Sequence, residues 1–276
     1  MKKTILVIGD THEPFCLDGY LEHCVDMADT INADTIVHIG DLVDLHAMSF
    51  HDHDPNGYSI GEEIEKASKK VKLWVEAFPK AYHIMGNHDM LIERKLMRHG
   101  IPKAIMRDFA DVLKMPHRKQ WTSHSELIID GVLYRHGVGA AGMYGHRNAA
   151  IKSRMSIVQG HSHGVAGIEY LASKRDIIFG MAVGCGVDIN AYAAAYGKHI
   201  VQKPVISCAT IIDGKYPQLH TMDLGSDYGC MDTITIKENH YAADDEIIDA
   251  AINEIELQEY LAELSPKERK WFRENL

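Results

Sequence analysis

Apolar residues fall along this chain in short unbroken runs, each closed by a glycine and a polar residue. Thr4-Ile5-Leu6-Val7-Ile8 leads into Gly9-Asp10, and Thr35–Ile39 leads into Gly40-Asp41. Runs of this length, bounded by turn residues, predict strands buried on both faces. Ala81–Met85, ahead of Gly86, predicts a third. Between these runs the spacing predicts helices over Leu17–Ile31, from Ser59 to about Phe78, and near Leu91–His99. Ser59-Ile60-Gly61-Glu62 is a capping-box pattern for the second of them. This β-α-β-α-β order predicts an α/β domain with neighbouring parallel strands.

The second half reads as mostly β. Glu126–Ile129 and Val132–Arg135 flank Asp130-Gly131, a hairpin signal, and Ile211-Ile212 and Tyr216–His220 flank Asp213-Gly214-Lys215. Ile157–Gln159, Val165–Leu171 and Ile177–Val183 are further strand candidates. The whole predicts two packed sheets with helices outside. From Tyr241 onward the pattern turns helical again, with Ile248, Ile252 and Ile255, then Leu257, Leu261 and Leu264, at helical spacing. Ser265-Pro266-Lys267-Glu268 is a second capping box. We therefore expect a body over residues 1–224 and an acidic, mostly helical extension over residues 225–276.

Composition narrows the function classes. The formal net charge is −10, and Tyr241–Leu276 carries ten acidic and four basic residues, so most of the imbalance lies in the tail. That balance lacks the basic footprint of a dedicated nucleic-acid binder. The tail reads as a solvated helical appendage, packed on the body or on a second copy in a homo-oligomer. No stretch approaches the length of a membrane helix, so no membrane partner is expected. The five cysteines (Cys16, Cys24, Cys185, Cys208, Cys230) form no Cys-x-x-Cys pair, which predicts neither zinc ribbon nor disulfide framework. A reducing, cytoplasmic compartment follows.

Candidate chemistry sits at strand ends. Five motifs occur there in order: Gly9-Asp10-Thr11-His12, Gly40-Asp41-Leu42-Val43-Asp44, Gly86-Asn87-His88-Asp89, His136-Gly137 and Gly160-His161-Ser162-His163. The carboxyl ends of strands form the ligand-binding edge of α/β sheets, so these motifs can converge. They offer oxygen and imidazole donors with no thiolate, a set suited to divalent ions such as manganese, iron or zinc. Seven donors are too many for one tetrahedral site and suit two ions that share a carboxylate.

In order and wording the motifs resemble the calcineurin-like metallophosphoesterase superfamily over roughly Met1 to Gly164. Gly86-Asn87-His88-Asp89 followed by Glu93-Arg94 is also similar to uncharacterised bacterial and phage members, which sets the expected compartment as a bacterial cell or a phage-infected host. The resemblance implies an α-β-β-α sandwich of two mixed sheets and a hydrolase of phosphate esters, with phosphodiesters or nucleotides, nucleic acid included, as favoured substrates. It implies two divalent cations, manganese foremost, with iron, zinc or nickel as alternatives. Asp10, His12 and His163 would hold the first ion, Asn87, His136 and His161 the second, and Asp41 both. A hydroxide between the ions would attack phosphorus. His88 would face the substrate and protonate the leaving alkoxide, with Asp44 as its orienting carboxylate and Asp89 in support.

Departures from the family pattern matter. The serine/threonine phosphatase branch follows the second motif's Asp with Arg-Gly and uses Asn-His-Glu in the third motif. Here Asp44 precedes Leu45-His46, and Asp89 follows His88. This weakens a phosphoprotein phosphatase reading, which stays as an alternative. A non-catalytic protein-binding scaffold on the same fold, as in the retromer scaffold subunit, is the other. His88 with a full ligand set argues against it. Elsewhere, His46, His51 and His53 read as an exposed polar loop, and His146-Arg147 as a helix start. Gly137-Val138-Gly139-Ala140-Ala141-Gly142 matches a dinucleotide fingerprint, yet no acidic residue lies near the required spacing. It reads as a loop beside the metal centre.

Overall fold

The computed structural model describes residues 3–50, 57–191 and 203–224. The body folds as two packed mixed sheets with helices outside, as the sequence predicts. The first sheet has strand order β11-β10-β1-β2-β3-β4. Here β1 is Thr4–Ile8, β2 Thr35–His38, β3 Ala81–Ile84, β4 Trp121–His124, β10 Ser207–Ile212 and β11 Tyr216–Thr221. Strands β1 to β4 run parallel, and β10 pairs antiparallel with both β1 and β11. The second sheet has order β5-β6-β7-β9-β8, with β5 at Glu126–Ile129, β6 at Val132–Arg135, β7 at Ser156–Gln159, β8 at Ala166–Ala172 and β9 at Ile177–Val183. Its inner strands β6, β7 and β9 are parallel.

The core lies between the sheets. Alternate residues meet there: Ile5 and Val7, Val37 and Ile39, and Ala209 and Ile211 from the first sheet, with Val132, Tyr134, Val158, Met181 and Val183 from the second. The other face of β1 is buried too, which is why its sequence is an unbroken apolar run rather than an alternating one. Helix α1 (Tyr20–Ile31) and helix α2 (Ile60–Ala77) each carry a buried stripe, Tyr20, Cys24 and Ala28 on one, Ala67, Val71, Trp74 and Val75 on the other. The capping box at Ser59 is formed: its side chain accepts from Glu62 N–H, and the Glu62 carboxylate accepts from Ser59 N–H.

Two differences from the sequence reading, the start of α1 and the strand β4, have physical causes. Helix α1 starts at Tyr20 rather than Leu17, because Leu17 N–H bonds to Gly186 C=O and Gly19 sits at φ 88°. The helix start read at His146-Arg147 is formed within a mostly β second half. Helix α5 (Gly145–Ser153) connects parallel strands β6 and β7, and His146-Arg147 lies in its first turn. Its inward residues are the small Ala149 and Ala150, so it shows no apolar stripe. Edge strand β4 takes its place by pairing in parallel with β3. Helix α3 (Leu91–Arg98) and the short α4 (Phe109–Val112) complete the fold. No described helix is long and apolar enough to cross a membrane, and Cys16, Cys24, Cys185 and Cys208 are free thiols. The tail helices, the second capping box, Cys230, His51 and His53 lie outside the described residues.

Candidate metal centre

Five strand ends deliver the candidate side chains. Asp10 and His12 follow β1, Asp41 and Asp44 follow β2, and Asn87 and His88 follow β3; His136 follows β6, and His161 and His163 follow β7. The first three strands are in one sheet and the last two in the other, so the site sits where both sheets end on the same edge. The loops are stitched by backbone: Asp41 C=O accepts from Thr11 N–H (3.2 Å) and His12 N–H (2.9 Å). His12, Asp41 and His161 have φ of 47°, 48° and 70°. Non-glycine residues in this left-handed region store strain, and such residues cluster at functional sites.

Two donor clusters result. Nitrogen and carboxylate atoms of Asp10, His12 and His163 lie within 4.8 Å of one another, and so do those of Asp41, His136 and His161. Asn87 Oδ1 joins the second cluster, 3.1 Å from His136 Nε2. Asp41 touches both clusters, with Oδ2 3.0 Å from His136 Nε2 and 3.5 Å from His12 Nε2. All seven sequence-predicted ligands are therefore together. Second hydrogen bonds fix them. His161 N–H donates to Asp10 Oδ2 (2.7 Å), His88 N–H to Asp41 Oδ1 (2.8 Å), and His12 Nδ1 bonds Asp44 Oδ1 (2.7 Å). An imidazole held at one nitrogen by a carboxylate presents the other to a cation.

The donor set fits a cation. His136 Nδ1 faces the Ile39 carbonyl (3.2 Å), which can only accept, so Nδ1 carries the hydrogen. Its Nε2 faces two further acceptors, Asp41 Oδ2 and Asn87 Oδ1. A positive charge there, the ring's own proton or a cation that displaces it, satisfies all three. Asp10 Oδ1 is buried and accepts no hydrogen bond among the described residues. Glycine is required at two closing positions. A Cβ on Gly86 would overlap Asp41, and one on Gly160 would overlap Asp10 Oδ1. These absent methyls leave the room in which both carboxylates sit.

The electrostatics divide the histidines. Burial opposes charge on His136, but Asp41 and Asp10 outweigh it and push the ring up to about 10. Burial would raise both carboxyls. Facing imidazoles, His136 foremost, instead hold Asp10 below the usual carboxylate range and Asp41 well below it. His12 and His161 are pushed down by burial and stay neutral, as ligands must be. His88 goes the other way: burial opposes its charge, yet Asp41 and Asp44 raise it.

Asp44 faces three rings, with Oδ2 3.7 Å from His46 Nδ1. Its Oδ1 lies 2.7 Å from His12 Nδ1 and 3.3 Å from His88 Nδ1, while its backbone carbonyl lies 2.6 Å from His88 Nδ1. Asp89 ties loops together, accepting from Gly86 N–H (2.9 Å), Val43 N–H (3.3 Å) and His83 Nε2 (3.0 Å). His46, expected in an exposed loop, is buried instead. Glu63 of α2 draws it in, with its carboxylate 3.1 Å from His46 Nδ1 and accepting the N–H groups of His46 (2.9 Å) and Ala47 (3.1 Å). Sequence reasoning missed Glu63 because a charged residue in the first turn of a helix ordinarily reads as solvated. The glycine-rich run after His136 leads into α5, and Gln159 at the end of β7 pins it, its Nε2 donating to Ala140 C=O (2.9 Å).

No curated protein matches the chain. Among solved structures it is similar to a novel archaeal phosphodiesterase, at 15% identity and a TM-score of 0.43, covering 79% of this chain and 99% of that one. Vacuolar protein sorting 29 from Cryptosporidium parvum matches at 11% identity and a TM-score of 0.41, covering 80% and 98%. A metallophosphoesterase from Sphaerobacter thermophilus matches at 15% identity and a TM-score of 0.39, covering 80% and 88%. The family model for calcineurin-like phosphoesterase matches residues 3–170, a span that runs through all five ligand-bearing strand ends. The chain belongs to the calcineurin-like phosphoesterases.

Proposed function

We propose that this protein is a metal-dependent hydrolase of phosphate esters, with phosphodiesters or nucleotides as its favoured substrates. The observation that carries the reading is the pair of carboxylate–imidazole clusters joined by Asp41, with His88 at their rim. Asp10, His12 and His163 would hold one divalent cation, Asn87, His136 and His161 the other, and Asp41 both. When bound, the cations would draw charge from the phosphoryl oxygens and bring the acidity of water into the neutral range.

The remaining work falls to the chain's own residues. His88 is part-exposed, at 16% of its side chain, where the metal ligands His12 and His136 are buried. Its Nδ1–H is spent on the Asp44 carbonyl, so Nε2 is the atom left to meet the ester. Asp44 and Asp41 favour the imidazolium, which can give its Nε2 proton to the departing alkoxide oxygen. Asp44 also holds His12 in the tautomer that presents Nε2, so one carboxylate aligns a ligand and the proton donor together.

The test is turnover of aryl phosphate mono- and diesters, side by side, with Mn²⁺, Fe²⁺, Zn²⁺ and Ni²⁺. Hydrolysis that follows metal loading is expected. A folded, metal-loaded protein inert with every ion would overturn the reading. A phosphopeptide included in the panel separates the phosphoprotein alternative.

A further inference from the structure

Beside the centre runs a groove of about 650 Å³, lined by Ser49, Phe50, Asn87, His88, Arg94 and Arg98 among others. That volume suits a small organic ligand. Its floor is continuous with the site, because Asn87 and His88 line both. Its far wall is unlike the rest of this acidic protein. The Phe50 ring, 40% exposed, has the Arg98 guanidinium at 4.5 Å, Lys95 Nζ at 4.8 Å and the Arg94 guanidinium at 5.3 Å from its centroid. Three cations thus surround a ring that keeps part of its surface open. The one carboxylate on α3, Glu93, is committed to Lys103 at 2.9 Å. Among the described residues, Arg94, Lys95 and Arg98 form no ion pair. Arg94 and Arg98 are four positions apart on one helix face, where like charges repel. An anion between them would turn that repulsion into attraction, and a guanidinium matches a phosphate with two parallel hydrogen bonds.

A ligand complementary to this wall has a flat π-system joined to phosphate. We propose that the groove is a nucleotide subsite: a nucleobase stacks on Phe50, the phosphate next to it rests on Arg94 and Arg98, and the scissile phosphate lies beside His88 and Asn87. The last clause rests on the phosphoesterase reading; the first two do not. The ligand chemistry is shared by a short free nucleotide and by the end of a nucleic-acid single strand, and length dependence tells them apart.

Two arms test it on the full chain. The first compares thymidine 5′-phosphate 3′-(p-nitrophenyl phosphate) with methyl p-nitrophenyl phosphate, which share a leaving group and differ only in the retained group. The protein should favour the nucleoside ester in kcat/KM, and Phe50→Ala should cut that preference about tenfold, as stacking on an aromatic ring implies. A preference unchanged by Phe50→Ala, or none to begin with, overturns the proposal while leaving the hydrolase reading intact. The second arm needs no turnover. The fluorescence of Phe50→Trp is titrated with 5′-phosphorylated thymidine di- and decanucleotides, with inorganic phosphate and thymidine as controls. Saturable quenching by the nucleotides, weakened by salt and by Arg94→Ala with Arg98→Ala, supports the subsite even if no ester is hydrolysed. Equal affinity for both lengths assigns it to free nucleotides, and tighter binding of the longer one to a strand end. No quenching, or quenching matched by the controls, overturns it.

Discussion

His88 and His136 both face Asp41, yet their neighbours set them to different tasks. His88 commits Nδ1 to the Asp44 carbonyl and is not among the seven proposed ligands, so His88→Ala should retain both metals and lose roughly 10²- to 10⁴-fold in turnover of alkyl esters. Nitrophenyl esters, whose leaving group needs no proton, should suffer far less. Elemental analysis beside the two rates checks this, and loss of both metals from the variant would refute the assignment. His136 is a proposed ligand that a proton also wants. With its metal-free ring held at about 10, it is protonated at neutral pH, and an ion reaches Nε2 only as the proton leaves. The sign follows: metal affinity should rise with pH, by about tenfold per unit for one displaced proton. Calorimetric titrations at pH 6 and pH 8, in buffers of different ionisation enthalpy, count that proton directly; an affinity indifferent to pH would rule it out.

At the scale of elements, helix α2 separates two kinds of polar residue. Ser59 caps its exposed start, so Ser59→Ala should cost about 0.5–2 kcal/mol in urea unfolding and leave the pH–rate profile in place. Glu63, one turn on, grips the backbone after Asp44. Glu63→Gln should slacken the carbonyl that holds His88, shifting the pH profile and lowering kcat more than it raises KM. The contrast also shows what could be read from the sequence. Thr4–Ile8, Val132–Arg135 and Ile177–Val183 are legible to the residue, because strands buried on both faces or closed by Asp-Gly turns write their own boundaries. The ligands are legible because glycine and a metal-binding residue recur at each strand end. Trp121–His124 is not, since an edge strand borrows its order from β3. Nor are Glu63 and His46, buried only because α2 crosses the second loop, nor the Phe50 wall, which joins residues from either side of that helix.

For the whole molecule, the seven proposed ligands span both sheets, so an ion bound there would be bound by the fold and not by any one part of it. Ligands that bind only the native state stabilise it by mass action, about 2.7 kcal/mol at a hundredfold excess over Kd. Chelation should therefore lower the melting temperature by roughly 5–10 °C for a body of this size. Scanning calorimetry before and after chelator would show it, and an unchanged midpoint would mean that no ion was held. The same geometry fixes a timetable. Asp10 and His161 meet across 151 positions of chain. During synthesis the first carboxylate waits roughly ten to thirty seconds for its partner to be made. An ion cannot guide the early nascent chain, because no segment that stops short of His163 contains every proposed ligand. If the site holds ions as proposed, loading would follow the making of His163, and the ion held would be set by the supply around the folded molecule.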